Sequence, residues 1–203
     1  IKKNEIICKI VAPLKIILIG ERTALNFIQF LSGISSKVNL YVRKIKNRKT
    51  KILDTRKTIP GLRFSQKYAV KCGGAKNHRH GLYDQVLIKE NHITKKTPIL
   101  ENFLDHIKRR ISFRKISIEV ENIEELKKVV KYMPKNILLD NFSILNIKKA
   151  RKIVNNTVTT IEISGGINLQ NVDKYISCNI DFISIGDLTK NIKSIDFSLI
   201  VLK

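Results

Sequence analysis

The stretch ISIEVENIEELKKVVKYMPKNILLDN, residues 116–141, decides the fold. Ile116-Ser117-Ile118 and Ile137-Leu138-Leu139 are short runs rich in branched apolar residues, and residues 123–132 between them have helix length. The segment therefore predicts strand, helix, strand. The same unit recurs on both sides. Strand-like runs stand at Lys51-Ile52-Leu53, Val86-Leu87-Ile88, Thr160-Ile161-Glu162-Ile163 and Phe182-Ile183-Ser184-Ile185, with helix-length segments at residues 62–72, 98–111, 143–154 and 169–176. Ahead of them, residues 21–46 place Leu25, Phe27, Ile28, Phe30, Leu31, Ile34, Val38 and Val42 at mostly helical spacings, which predicts one long helix or two abutting ones. Alternation of this kind marks a parallel sheet covered by helices.

An open doubly wound sheet and a barrel share that alternation, and the residues that follow each strand separate them. Arg56 and Lys57 follow the first, Lys89 the second, Glu119 lies in or at the end of the third, Asp140 follows the fourth, Ser164-Gly165-Gly166 the fifth and Gly186 the sixth. A barrel gathers all such ends into one mouth, whereas an open sheet concentrates its site at a switch point. The expected fold is α/β, an open or incomplete TIM-like barrel of about six parallel strands.

With 203 residues, 43% of them hydrophobic, the chain can bury one sizeable core and reads as one main domain. No apolar stretch reaches the roughly 18 residues of a membrane span. The most apolar early stretch, residues 6–20, is broken by Lys9, Pro13 and Lys15 and lacks a signal cleavage site. Cys8, Cys72 and Cys178 are far apart and form no CxxC pair, which argues against a disulfide framework or a zinc site and for a reducing cytoplasm. The chain starts at Ile1 and its single methionine is Met133, so a fragment or trimmed product is expected.

Lys and Arg total 39 against 17 Asp and Glu, a formal net charge of +22, which on its face suits a polyanion. The lysines are spread along the whole chain beside many Ile and Asn residues, however. Aromatic residues make up 6%, Trp is absent, and no aromatic stripe interleaves with the cations to stack bases. Compositional drift is the favoured account, and nucleic acid is a disfavoured partner.

The predicted mouth is cationic: Arg22, Arg56, Lys57, His78, Arg79 and Lys89 suit carboxylate or phosphate, which arginine grips with paired hydrogen bonds. Glu119 and Asp140 are hard oxygen donors for sugar hydroxyls or for a magnesium ion carried by phosphates. Glu119 and Glu121 alternate on one strand, and Glu119 is the one assigned to the mouth. Ser164-Gly165-Gly166, opening onto a helix near Asn168, offers backbone N–H groups to a phosphate. Each feature has a plainer reading: Arg22 a solvated charge, Asp140-Asn141 a helix cap, Ser-Gly-Gly a turn, His78-Arg79-His80 a polar loop lacking a third metal ligand. Their shared position after strands favours a small phosphorylated ligand with several negative charges.

Several motifs carry a resemblance. Glu21-Arg22-Thr23-Ala24-Leu25-Asn26-Phe27, Asp54-Thr55-Arg56-Lys57-Thr58, Pro60-Gly61-Leu62-Arg63, Lys67-Tyr68-Ala69-Val70, Asn77-His78-Arg79, Leu87-Ile88-Lys89-Glu90-Asn91-His92, Leu138-Leu139-Asp140-Asn141-Phe142, Glu162-Ile163-Ser164-Gly165-Gly166-Ile167 and Ile185-Gly186-Asp187-Leu188-Thr189 stand in order. Together they resemble the nicotinate-nucleotide pyrophosphorylases (carboxylating), or quinolinate phosphoribosyltransferases. The resemblance implies a pentosyltransferase of de novo NAD synthesis: quinolinate and phosphoribosyl pyrophosphate (PRPP), with Mg2+, give nicotinate mononucleotide, pyrophosphate and CO2. It assigns Arg22, Thr55, Arg56, His78 and Arg79 to quinolinate, with Arg22 reaching across a homodimer or higher oligomer. Lys57 and Lys89 fall to the meeting point of the substrates and the pyrophosphate. Glu119 and Asp140 fall to catalysis, the ribose hydroxyls and the metal, and Ser164, Gly165, Gly166 and Gly186 to the phosphate.

The same resemblance divides the chain into residues 1–20, a strand-like remnant of an amino-terminal α/β sandwich domain; residues 21–190, the barrel; and residues 191–203, a tail returning toward the remnant. Lys190 stands where the family often has histidine and receives no role. The rival readings are a paralogue of the molybdenum-locus type acting on another acid, an inactive remnant of this enzyme, and, last, a basic nucleic-acid binder.

Overall fold

The computed structural model describes residues 1–2, 4–45, 49–92, 100–155 and 157–201. Helix α1 (Leu14–Lys44) leads into six strand-helix units: β1 (Lys51–Leu53), α2 (Arg63–Cys72), β2 (Val86–Ile88), α3 (Leu100–Lys108), β3 (Ile116–Val120), α4 (Ile123–Val129), β4 (Asn136–Asp140), α5 (Ile144–Val154), β5 (Thr160–Ser164), α6 (Val172–Ile176), β6 (Phe182–Ser184) and α7 (Asp187–Lys190). All strand pairs are parallel and the order is β1-β6-β5-β4-β3-β2, a sheet whose two edges do not pair. The fold is thus the open α/β barrel the sequence predicts.

Two things stand in the gap between β1 and β2. Segment 75–79 runs alongside β1 through a single parallel bridge, Leu53 to Lys76. Its main chain bonds β1 twice, Lys76 N–H to the Ile52 carbonyl at 2.9 Å and Asp54 N–H to the Lys76 carbonyl at 3.2 Å. On the other side, the Arg79 guanidinium donates to the Gln85 carbonyl at 3.0 Å, just before β2. The missing stave is therefore a loop, and it carries His78 and Arg79.

Strand side chains alternate between two different environments. Ile52, Ile88, Ile116, Ile118, Val120, Ile137, Leu139, Ile161, Ile163, Ile183 and Ile185 point outward and join Leu104, Leu126, Ile147, Ala150, Val172 and Leu188 in one continuous core. The alternate positions face the lumen: Ser117, Glu119, Asn136, Asp140, Thr160, Glu162, Ser164 and Ser184 are polar, while Leu53, Leu87 and Leu138 are apolar and stand outside that core. A fully apolar parallel strand would hide no such distinction. Here the polar set lines the inside from floor to mouth.

Helix α1 differs from expectation at its start. It is one helix, beginning at Leu14 behind Pro13, so the strand-like reading of residues 5–20 is corrected and the division at Gly20–Glu21 falls inside it. Adding a residue to an existing helix gains a hydrogen bond for each residue fixed, which carries the branched run Ile16-Ile17-Leu18-Ile19 despite its strand-like composition. Leu14, Ile16, Leu18 and Ile19 remain exposed. The far end of the predicted helix, Lys46, and residues 98–99 of the predicted 98–111 helix lie outside the described residues.

The other end of α1 is pinned to α7. Tyr41 is fully buried and donates to Asp187 Oδ2 at 2.7 Å, and Lys37 Nζ lies 2.6 Å from the same oxygen. The tail follows α1 back: Ile195 N–H bonds the Gln29 carbonyl at 3.1 Å, and Gln29 Nε2 reaches the Phe197 carbonyl at 3.0 Å. Burial alone would raise the Asp187 carboxyl, but Lys37, Tyr41 and Asn191 outweigh it and hold it below the usual carboxylate value. A depressed folded pKa stabilises at higher pH and is lost as pH falls through that value. Urea denaturation followed against pH should therefore lose stability below about pH 4. Asp187→Asn should flatten that part of the profile and cost about 1–2 kcal/mol at neutral pH.

Candidate active site

The site begins with a buried ion pair at the end of β1. Asp54 and Lys67 are both fully buried, and the Lys67 ammonium donates to Asp54 Oδ1. Asp54 also accepts from Asn77 Nδ2 at 2.6 Å and from His78 N–H at 2.8 Å, while Lys67 Nζ donates to the His78 carbonyl at 2.9 Å. Burial pushes the Asp54 carboxyl up and the Lys67 ammonium down, and their mutual contact opposes both shifts. One carboxylate and one ammonium thus lock β1, α2 and segment 77–79 together.

The locked segment presents Arg79. It is buried, and burial together with the nearby Arg56 lowers its pKa, with Glu119 opposing. An arginine keeps its charge in proteins, so Arg79 carries a buried positive charge in the field of Arg56 and Glu119. Arg56, exposed, follows β1 and offers its carbonyl to Arg63.

Lys89 and Glu119 meet across β2 and β3, Nζ to Oε2 at 2.6 Å. Asp140 ends β4 and lies in register with Ser164, which ends β5 and donates to Asp140 Oδ1; Asn141 Nδ2 bonds Oδ2 at 3.0 Å. Glu121, by contrast, is exposed and its N–H bonds Glu125 in the cap of α4. Beyond Ser164, Gly165 has φ +103°, and a Cβ there would lie 2.0 Å from Asn141 Oδ1. Only glycine fits. At the opposite wall, a Cβ on Gly186 would come within 3.1 Å of Lys57 Cδ and 3.7 Å of Thr55 Oγ1, so Thr55, Lys57 and Gly186 are neighbours.

One local expectation is corrected. The Ser164-Gly165-Gly166 loop does not open onto a helix at Asn168. Asn168 Oδ1 takes the N–H groups of Gln170 at 2.9 Å and Asn171 at 3.2 Å, and Asn171 Oδ1 takes that of Asn168 at 2.8 Å. These reciprocal bonds cap a single turn, closed by the Val172 N–H on the Asn168 carbonyl at 3.0 Å, and α6 itself starts at Val172. The loop must therefore act through its own backbone rather than through a helix end.

Arg22 stands apart. It is exposed on α1 and meets no partner among the described residues. The structure also adds residues to which the sequence reading gave no role: Asp54, Lys67 and Glu162. Glu162 is buried in the lumen, accepting from Ser184 Oγ on Oε1 and from Asn136 Nδ2 at 2.7 Å on Oε2, with His78 Nε2 3.2 Å from Oε1. Its signal was present: a carboxylate between Ile161 and Ile163 in a buried strand must face an interior that is not apolar.

A barrel mouth with four cations, two carboxylates and a glycine loop has the chemistry to bind a small anionic ligand. The comparisons with known proteins agree. The profile of the family described as "Quinolinate phosphoribosyl transferase, C-terminal domain" matches residues 34–200. The chain is 38% identical over 197 residues to a probable nicotinate-nucleotide pyrophosphorylase (carboxylating) of Bacillus subtilis, covering 97% of this chain and 68% of that protein. It is 41% identical to a protein of the same name from Methanocaldococcus jannaschii, covering 92% and 69%. The crystal structure of NadC from Streptococcus pyogenes superposes with a TM-score of 0.85 at 36% identity, covering 92% of this chain and 65% of that one. The chain belongs to the quinolinate phosphoribosyltransferase family and spans about two thirds of the length of these relatives.

Removing Lys67 would leave Asp54 buried without its counter-charge, a loss of about 3–5 kcal/mol. Lys67→Met should therefore be strongly destabilised in denaturation, and the Asp54→Asn/Lys67→Met double variant should cost less than the sum of the single changes.

Proposed function

We propose that the chain carries the catalytic barrel of a quinolinate phosphoribosyltransferase, transferring phosphoribosyl from PRPP to quinolinate with loss of CO2 and release of nicotinate mononucleotide and pyrophosphate. The observation that carries this reading is the Lys89–Glu119 pair at the strand ends together with the buried Arg79, whose charge Arg56 disfavours and Glu119 favours. Two guanidinium groups suit the two adjacent carboxylates of a pyridine dicarboxylate. Lys57 and Lys89 neutralise the departing pyrophosphate, and the Ser164-Gly165-Gly166 loop with Gly186 takes the 5′-phosphate through backbone N–H groups. Thr55, next to both Lys57 and Gly186, lines the wall between the two substrates.

Glu119 and Asp140 serve the ribose hydroxyls. They also fit magnesium that arrives on PRPP, because an ion of this kind keeps most of its shell in water and phosphate oxygens and asks the protein for one or two carboxylates. Among the described residues no group of three His, Cys, Asp or Glu forms a cage of its own. Bound magnesium would supply charge neutralisation at the pyrophosphate. The bond from the sugar carbon to the pyrophosphate oxygen breaks as that from the pyridine nitrogen forms. The carboxylates steady the positive charge that develops on the sugar, and the arginines hold the ring nitrogen in line. Once the nitrogen is quaternary, its positive charge stabilises the electron pair that departing CO2 leaves on the adjacent ring carbon, and that carbon then takes a proton from solvent.

Arg22 belongs, in this reading, to the mouth of a partner subunit in a dimer, which suits its exposure and its lack of partners among the described residues. The free cysteines accord with a cytoplasmic setting, and no helix among the described residues is long and apolar enough to cross a membrane.

The test is steady-state kinetics with both substrates. Arg79→Ala should raise the KM for quinolinate about 10- to 100-fold, the worth of a lost charge-assisted hydrogen-bond pair, with little change for PRPP. Lys89→Ala should lower kcat about 100-fold. Unchanged kinetics in both variants would refute the assignment.

A further inference from the structure

Past Asp54 the chain leaves the sheet, and Thr55, Arg56 and Lys57 ride on a loop. Its local bonds are short in range: Lys57 N–H donates to Thr55 Oγ1 at 3.1 Å and Thr58 N–H to the Arg56 carbonyl at 2.9 Å. Bonds between residues two apart shape a turn but do not set where that turn stands in the barrel. The placement comes from two side chains on other elements, Gln66 of α2 and Thr189 of α7, which are 0% and 1% exposed.

The Thr189 hydroxyl donates to the Lys57 carbonyl at 2.8 Å. Gln66 Oε1 accepts the Ile59 N–H at 2.7 Å, and Gln66 Nε2 donates to the Thr189 carbonyl at 3.2 Å. A main-chain N–H cannot accept and a carbonyl cannot donate, so only one orientation of the Gln66 amide serves both partners. The contacts close a ring from the loop to α7, from α7 to α2, and from α2 back to the loop. Helix α7 meets Lys57 at a second point as well. A Cβ on Gly186 would lie 3.1 Å from Lys57 Cδ and 3.9 Å from its Nζ, so the lysine stem crosses the bare glycine that precedes α7. Through Asp187, α7 is in turn tied to Tyr41 and Lys37 of α1.

We infer that Gln66 and Thr189 form a clamp that positions Lys57, fixing its main chain from α2 and α7 while its stem rests on Gly186. Both are positioning residues, because the polar atoms of their buried side chains are taken up by main-chain groups. The neighbouring arginines are held by other means. The Arg56 carbonyl accepts from Arg63 Nη2 at 3.4 Å, Thr58 Oγ1 accepts from Arg63 Nε at 3.1 Å, and the segment bearing Arg79 hangs on Asp54 and Lys67. Loss of the clamp therefore displaces Lys57 and leaves the acid-facing side of the mouth in place.

This positioning role rests on the reading that puts Lys57 at the departing pyrophosphate, and the experiment separates the two. Full-chain Thr189→Val, Thr189→Ser and Gln66→Met would be compared with the wild type by steady-state kinetics and, without substrate, by amide hydrogen exchange. Charge gathers on the pyrophosphate as its bond to the sugar breaks, so a displaced ammonium costs more in the transition state than in the ground state. Thr189→Val and Gln66→Met should each lower kcat about tenfold with the KM for quinolinate within about threefold of the wild type, while Thr189→Ser, which keeps the hydroxyl, should hold kcat within about twofold. The Ile59 amide should be protected in the wild type and exchange about tenfold faster in Gln66→Met. Equal losses in Thr189→Ser and Thr189→Val, or a rise in the quinolinate KM to match the fall in kcat, would mean a general disturbance of the fold and would overturn the inference. So would an Ile59 amide that is unprotected in the wild type or indifferent to Gln66→Met. If the wild type turns over no quinolinate while Ile59 responds as expected, the functional reading fails and the clamp stands.

Discussion

The contact between Asp54 and Lys67 is the constraint on which the site depends. A charge pair withdrawn fully from water contributes little net stability, because desolvation offsets most of the attraction. Its value here is geometric. Asp54 stands one residue beyond β1, Lys67 sits in α2, and between them they hold the N–H and the carbonyl of His78. The sheet cannot do this, since β1 and β2 do not pair. A barrel left open in its ladder is completed by side-chain bonds at the loop that carries His78 and Arg79.

Around that constraint the molecule divides into two kinds of interior. Outside the strands, helices and branched aliphatic residues form the core and supply the stability, in proportion to the apolar area they remove from water. Inside, polar residues outnumber apolar ones and several are bonded to one another: Gln85 to Ser117, Asn136 to Glu162, Glu162 to Ser184, Asp140 to Ser164. Polar networks of this sort hold side chains in one arrangement at the cost of burying them. The catalytic mouth rests on that ordered floor.

Much of this was legible in the sequence. Branched runs such as Ile116-Ser117-Ile118 and Ile137-Leu138-Leu139 marked the strands, and residues after them marked the mouth, because parallel strands deliver their carboxyl ends to one side. The Lys89–Glu119 pair joins two residues picked out on that ground alone. Other features depended on distances that a linear reading does not contain. Asp54 and Lys67 looked like two more charges in a chain crowded with them, and nothing local says that both are dry. Residues 14–20 have strand-like composition, yet cooperative helix growth from the following segment determines their state. Asn168 and Asn171 bond one another's main chain and so cap one turn ahead of α6, which begins later than periodicity alone predicts.

The unpaired edge between β1 and β2 also has a meaning for how such a scaffold can change. Where a continuous ladder fixes the circumference of a closed barrel, altering the bore means altering many main-chain bonds at once. Here the bore on one side is fixed by the lengths of a lysine, an aspartate and a histidine, so single codon changes at these positions can widen or narrow that wall of the mouth while the six-stranded sheet stays as it is. Diversification of ligand size in this architecture should therefore concentrate at the seam.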